Sequence, residues 1–462
     1  MSAHAVIWLL LYLYFAMRTL SRPAWGIPLY LMTFFASPVL WWWGGPLAAV
    51  GERWSLLSSL ILLAGVGFSG FRISELTKAQ SRVMLLLVAY AINATFVHLI
   101  FSSSSDPEES WKWLDLMWKQ VVLLLLMIIS VRDIKDFQIL SYTLLIGGAF
   151  IACEVYFFKA GSYHHGRLEG LPLPSGGSSN FVSPVLSQSA IIGGFLVFFG
   201  KTKEKLFALF CCVMLTEAIL QCLSRGGLLG LLLGAAWLIL QSKGKVRRHG
   251  MAALVIAAMG ALVIMGPEQQ EKVFGRFSTT FAEQEERDIA AESRLILWQS
   301  TFDMIKDRPL GSGGNAFKSH LGQTYIPIEW QNTFRASQNG FLDTAASWGV
   351  QGLAIFLAAL ATSWFAVRKT VAAAHRRGDV RTAFLGGCID ATLVMFLVTT
   401  VFISGLRGEW FFWWHALALG FSVVYSDEAM RATEHGREDN ILEGDDPAVD
   451  RINVSNLSMA NT

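Results

Sequence analysis

Long apolar runs separated by short polar connections set the plan of this chain. They lie near residues 4 to 17, 25 to 43, 54 to 70, 83 to 101, 114 to 130, 138 to 158, 185 to 200, 205 to 223, 226 to 241, 250 to 266, 341 to 366, 382 to 404 and 409 to 425, the fifth and seventh being short. A helix needs about 20 apolar residues to cross a hydrocarbon core. The pattern therefore predicts an all-α, polytopic helical integral membrane protein with about 12–13 transmembrane helices. One polar stretch, 267–340, is far longer than the other connections and is expected to form a large loop. The chain divides into N-terminal helices (1–158), central helices (159–266), the large loop, C-terminal helices (341–425) and a polar tail (426–462) rich in Asp, Glu and Asn. That tail has too little apolar content to order itself.

The distribution of Lys and Arg orients the bundle. Alternate connections carry Arg18 and Arg22; Arg72, Lys78 and Arg82; Arg132 and Lys135; Lys201, Lys203 and Lys205; Lys243, Lys245, Arg247 and Arg248; and Arg368, Lys369, Arg376, Arg377 and Arg381. These make about nineteen basic residues on one side, against about seven in the short loops of the other. Basic loops stay in the cytoplasm, so the N-terminus and the large loop are expected outside and the tail inside. The first run lacks a basic start and a small-residue cleavage site, and reads as the first membrane helix.

Composition agrees with this reading and adds little. Hydrophobic residues make up 53% of the chain and charged ones 16%, with a mean hydropathy of +0.45. The net charge of +2 carries no message about partners, and no nucleic-acid partner is expected. Cys153, Cys211, Cys212, Cys222 and Cys388 lie in or beside apolar runs without metal-ligand spacing and read as small buried hydrophobes. No H-x-x-x-H pair or carboxylate cluster suggests a metal, and no cofactor is expected; the acidic run Glu283, Glu285, Glu286 and Asp288 reads as a solvated helix face.

Candidate chemistry concentrates on the outer side. In the large loop Leu295, Trp298, Phe302 and Ile305 fall at helical spacing, with Arg294 one turn before Trp298. Pro309, Gly311, Gly313 and Gly314 end that helix in a turn able to bring backbone N–H groups close to a ligand. Gln338-Asn339-Gly340 opens the next run, with Asn339 as its N-cap. Ser183-Pro184 reads as the cap and first-turn proline of the seventh helix. Arg225 starts the ninth helix between Ser224 and the pair Gly226-Gly227, where a helix dipole and an arginine together suit a phosphorylated ligand. Helices seven, nine and eleven begin on this side, so Arg225 and the loop arginines Arg294, Arg308 and Arg335 are expected to converge on one anion. His164, His165 and His320 are exposed-loop histidines, each a candidate general base.

Four segments carry a family resemblance: SRGGLLGLLLG (224–234), the R-x-x-x-W of Arg294 and Trp298, DRPLGSGG (307–314) and QNGFLDTAASWGVQGL (338–353). Together they resemble the core of the O-antigen ligase and polymerase superfamily. RPAWGIPLYL and ASPVLWWW, near the N-terminus, further resemble the O-antigen-ligase-like proteins that accompany exosortase systems. The resemblance implies a metal-independent glycosyltransferase on the outer face of the bacterial inner membrane. Such an enzyme moves a glycan from a polyprenyl (undecaprenyl) diphosphate donor to a sugar, lipid or protein acceptor. It also implies that Arg225 and Arg294 hold the diphosphate and that Gln338-Asn339 occupies the position of the family's histidine-asparagine or histidine-serine pair. Glutamine can orient a hydroxyl but cannot take its proton, so either another residue such as His320 supplies the base, or the chemistry is slower or different, or the protein no longer catalyses transfer. Ligase and polymerase activities are not separated by the sequence. Readings from other classes are a solute transporter, for which Glu154, Glu217 and Asp390 would be the intramembrane acids, and a non-catalytic assembly subunit. Unequal loop lengths in the two halves count against an inverted-repeat transporter.

Overall fold

The structure is a computed structural model that describes residues 2–51, 53–164, 166–174, 176–264, 267, 270, 271, 289–331, 335–404, 406 and 408–426. The tail beyond 426, the acidic run at 283–288, His165 and Arg407 lie outside the described residues.

The described residues are helical almost throughout. Among the described residues ten α-helices precede the large loop: α1 (Ala3–Ser21), α2 (Gly26–Phe35), α3 (Arg53–Phe68), α4 (Lys78–Phe101), α5 (Pro107–Ser130), α6 (Ile134–Phe158), α7 (Ser179–Phe199), α8 (Thr202–Gln221), α9 (Arg225–Gln241) and α10 (Gly244–Ile264). The loop contributes α11 (Ile289–Asp307) and the single turn α12 (His320–Gln323). Then come α13 (Gly340–Arg376), α14 (Val380–Thr400) and α15 (Glu409–Val424). A short antiparallel hairpin, β1 (Ser162–His164) with β2 (Arg167–Glu169), sits between α6 and α7.

Among the described residues seven helices are long and apolar enough to cross a membrane: α1, α4 (with the turn after it), α5, α6, α7, α13 and α14. The helices coincide with the apolar runs, with instructive departures. The run at 25–43 is not one helix; α2 covers ten residues and the chain then turns, Trp41 donating its indole N–H to the Phe35 carbonyl at 3.0 Å. The fifth and seventh helices are longer than their runs, 24 and 21 residues, because each begins in polar sequence. α7 starts at Ser179 behind Ser178, so Ser183 is no cap and Pro184 lies inside the helix, corrections to the sequence expectation.

End contacts fix the alternation. Ser2 Oγ donates to the Trp43 carbonyl at 3.0 Å, and the Trp42 indole donates to Glu154 at 3.1 Å, which gathers the starts of α1 and of the hairpin loop at one end. At the other end Arg22 bonds Asp133 and Asp136, Arg132 donates to Ser69 at 2.9 Å, and Arg368 bonds Gln241 and, at 3.0 Å, Asp390. The basic connections share this second end, and the large loop caps the first. Glu154 and Asp390, two of the three intramembrane acids, are thus tied to fixed partners.

The core lies around α15. It is buried almost all round its circumference, and Trp410, Trp413 and Trp414 are at most 1% exposed. By contrast α1 turns Ile7, Leu10, Leu13 and Met17 outward, as a helix facing lipid does.

Candidate functional site

Arg225 is the first residue of α9. Ser224 caps the helix, its Oγ accepting from the Gly227 N–H at 3.2 Å and donating to Asn180 Oδ1 at 3.0 Å. The preceding Leu223 adopts a φ of +44°, so the chain enters α9 through a left-handed residue. Such a conformation persists in a non-glycine residue only where its surroundings enforce it. Behind this corner stands the β-hairpin. Arg167 donates to Asn180 Oδ1 at 2.9 Å and also bonds Ser179, and Glu169 accepts from the Ser179 hydroxyl at 2.7 Å. Arg167, Asn180 and Glu169 were not singled out for the site in the sequence. Their signal, a charged R-x-E in an otherwise small and polar loop, is faint.

Glycines let α9 come close to its neighbours. A Cβ on Gly227 would stand 2.1 Å from Ser183 Oγ of α7, one on Gly230 2.7 Å from the Met395 carbonyl, and one on Gly234 2.7 Å from that of Ala391. The SRGGLLGLLLG segment is thus a packing stripe that seats the N-terminus of α9 between α7 and α14. Gly226 lies against Phe402, and the Phe402 ring lies 6.4 Å from that of Trp298 on α11. Phe402 therefore joins the Arg225 corner to the large loop, another residue the sequence did not flag.

α11 buries Ser293, Leu297, Ser300, Thr301, Met304 and Ile305 against the small core formed by Phe317, Ile326, Ala345 and Ala346. This is not the predicted stripe, since Leu295 and Phe302 are exposed and only Ile305 of that set is buried. Arg294, half-buried, instead reaches Gln338, its Nε donating to Gln338 Oε1 at 3.0 Å. Gln338 has a φ of +53°, again a left-handed residue directly before a helix cap. Asn339 is that cap, as expected, accepting from the N–H groups of Phe341 at 3.0 Å and Leu342 at 3.2 Å.

The glycine turn does something other than cradle a ligand. α13 is broken at Gly349, whose φ of 81° and ψ of 165° are not helical. The break frees backbone groups, and the 309–314 turn fills it. Val350 N–H donates to the Pro309 carbonyl at 2.9 Å, while Ser312 and Gly313 donate to the carbonyls of Ala346 and Ser347 at 3.1 and 3.0 Å. Gly314 N–H goes to Ser110 Oγ at 2.9 Å. The turn N–H groups expected to meet a ligand are therefore committed to the protein. Gly311 and Gly313, at φ of 93° and 99°, permit the fit, and a Cβ on Gly311 would meet Gly349 N at 2.5 Å. Two of the four family-like segments are thus halves of one structural joint.

Residues 190–357 match a protein-family model described as O-antigen ligase. That match supports the O-antigen ligase/polymerase superfamily for the segment it covers, a little over a third of the chain. No curated protein matches it. The O-antigen ligase match runs from the middle of α7 to the middle of α13, so it contains Arg225, Arg294 and Gln338. The N-terminal segments that resemble exosortase-associated proteins lie outside it. An activity of the O-antigen ligase type, a membrane setting, and lipid-linked glycan and acceptor partners follow at that level of description.

Within this O-antigen ligase domain the predicted residues divide. Arg294 and Gln338 touch, and Trp298 is linked through Phe402 to the Gly226 that follows Arg225. Arg308 is not part of that grouping. It lies fourteen residues beyond Arg294, about 20 Å at 1.5 Å per residue, and donates to Ser104 Oγ at 2.9 Å. The expected convergence of all four arginines therefore fails at Arg308, because a straight helix holds it and Arg294 apart. Arg335 is exposed three residues before Gln338, and His320 is exposed at the first position of α12.

Proposed function

We propose that the protein transfers a glycan from an undecaprenyl-diphosphate donor to an acceptor hydroxyl on the outer face of the bacterial inner membrane. The observation that carries this reading is the contact between Arg294 and Gln338. It joins the loop arginine to the position where the family has its histidine. The reading is further supported by Arg225 at the N-terminus of α9, where the helix dipole adds to the side-chain charge. The basic connections gathered at the opposite end of the bundle support an outward-facing site.

In this mechanism the acceptor oxygen attacks the anomeric carbon while the bond from that carbon to the phosphate oxygen breaks. Undecaprenyl diphosphate leaves with the electron pair. Arg225 and Arg294 neutralise the charge that develops on it, the largest single contribution a protein can make to such a step. Gln338 accepts a hydrogen bond from the attacking hydroxyl and aligns it, and the hydroxyl proton passes to the departing diphosphate. Arg335 is assigned to the donor from the loop, and His320 takes no part in this proton path.

The test is transfer by membranes that hold each variant at normal level. Arg225→Ala and Arg294→Ala should abolish transfer, and lysine at either position should rescue poorly because it lacks the planar fork. Full transfer by Arg225→Ala would overturn the assignment.

A further inference from the structure

The turn from α8 into α9 is held from outside, by the β-hairpin and the start of α7. The Tyr163 hydroxyl bonds Gln221 Oε1, Arg167 Nε donates to the Cys222 carbonyl at 3.5 Å, and Ser224 Oγ donates to Asn180 Oδ1 at 3.0 Å. Cys222, Leu223 and Ser224 are buried, and the left-handed Leu223 is a conformation that only its surroundings can maintain. The hairpin is itself anchored. Alternation along β2 buries Leu168 completely and puts Arg167 and Glu169 together on the other face.

Asn180 stands at the centre of these contacts. Its Oδ1 accepts from Ser224 Oγ and, at 2.9 Å, from Arg167 Nη2. The guanidinium fixes which way the amide points, since a flipped amide would set its NH2 against a group that can only donate. Ser224 is committed in turn, its one proton going to Asn180 while its oxygen accepts from the Gly227 N–H at 3.2 Å. Glu169 completes the set, accepting from the Ser179 N–H at 3.0 Å and lying 3.6 Å from Arg167 Nη2.

We infer that Asn180 is a positioning residue for the donor's diphosphate: by fixing Ser224 it fixes where α9 begins, and hence the direction of Arg225, the next residue. The inference rests on the transferase reading above and names what aims its arginine. An arginine grips a phosphate with a planar fork, and a displacement of about 1 Å spoils that fit. Arg167 has a supporting part. Its Nε and Nη2 are committed to Cys222, Ser179 and Asn180, so its charge steadies the corner instead of joining Arg225 on the anion.

The test is binding of undecaprenyl diphosphate, and of undecaprenol as the same chain without phosphate, to the purified protein in lipid nanodiscs. Asn180→Ala should weaken the diphosphate lipid about tenfold and leave undecaprenol unchanged, a selectivity that general loosening of the bundle would not give. Ser224→Gly removes the same hydrogen bond from the other side while keeping an acceptable helix cap, so it should fold and weaken the diphosphate lipid to a similar degree. It replaces Asn180→Ala throughout if that variant does not fold. The decisive comparison is with Arg225→Ala. Because Asn180 acts through Arg225, adding Asn180→Ala to Arg225→Ala should cost nothing further, whereas independent roles would make the two losses multiply. Multiplying losses overturn the positioning role. So do equal losses for both lipids, and so does native affinity for the diphosphate lipid in Asn180→Ala and Ser224→Gly while Arg225→Ala is weakened; in these cases the diphosphate assignment stands and the positioning role alone fails. Native affinity for that lipid in Arg225→Ala would instead bring down the diphosphate assignment, and the positioning role with it.

Discussion

Gln338 combines two unusual properties in one residue. Its backbone is left-handed, which costs about 1 to 3 kcal/mol for a non-glycine side chain, and its amide is held by Arg294 at 3.0 Å. Any substitution therefore tests the side chain and the backbone together. Gln338→Ala keeps the strain and loses the orienting hydrogen bond, so transfer should fall by a factor of about 10 to 100, matching about 1 to 3 kcal/mol. Because glutamine does not titrate, the native pH–rate profile should show no imidazole-like inflection from this position. Gln338→His should retain activity or exceed the native rate. It should also gain an inflection whose protonated limb, below about pH 6.5, is the less active one, since only neutral imidazole can accept the proton. Rates of purified protein across pH 5 to 8 check both. A flat response to Gln338→Ala and Gln338→His, with His320→Ala also silent, would instead favour a non-catalytic role.

At the scale of elements, the joint between the 309–314 turn and the broken α13 is the clearest structural device in the molecule. Gly349 has a positive φ, and a Cβ there would stand 2.5 Å from the Leu310 carbonyl, a backbone atom that cannot swing aside. Gly349→Ala should destabilise the protein by about 2 to 4 kcal/mol, read as earlier thermal unfolding in detergent. Gly194→Ala, in α7 with open space around its would-be Cβ, should change stability by no more than about 1 kcal/mol. The helices themselves were legible in the sequence because hydrophobic runs and caps such as Asn339 are local signals. The joint was not. Pro309, Gly311 and Gly313 announce a turn, but whether its N–H groups meet a ligand or the carbonyls of a helix forty residues on is decided by tertiary contact. For the same reason α11 showed its helical spacing in the sequence while the face it buries did not show. Leu295 and Phe302 are as apolar as Leu297 and Met304, and only the partner elements choose between them. Arg167 and Asn180 were invisible as site residues because nothing local says that the hairpin folds back on Ser224.

At the scale of the whole molecule the question is which way the bundle faces. The alternation of Lys and Arg was read from loops far apart in sequence, and the fold brings those loops to one end, where Arg22 and Arg368 find partners on other helices and Arg132 finds Ser69 in the turn after α3. Placing the opposite end outside is the remaining step, and it rests on the cost of translocating basic segments. Cysteine labelling in intact cells decides it, in a background whose five native cysteines have been replaced. Ser312 would be a poor reporter despite its position in the large loop, being fully buried beneath the joint. Lys318, exposed in that loop, and Lys203, exposed at the basic end, are better placed. A membrane-impermeant maleimide should modify Lys318→Cys in intact cells and Lys203→Cys only after the membrane is opened. The reverse pattern would put the Arg225 corner and the Arg294–Gln338 contact in the cytoplasm, where an outward-facing lipid-linked donor never arrives, and the proposed transfer would fall with the orientation.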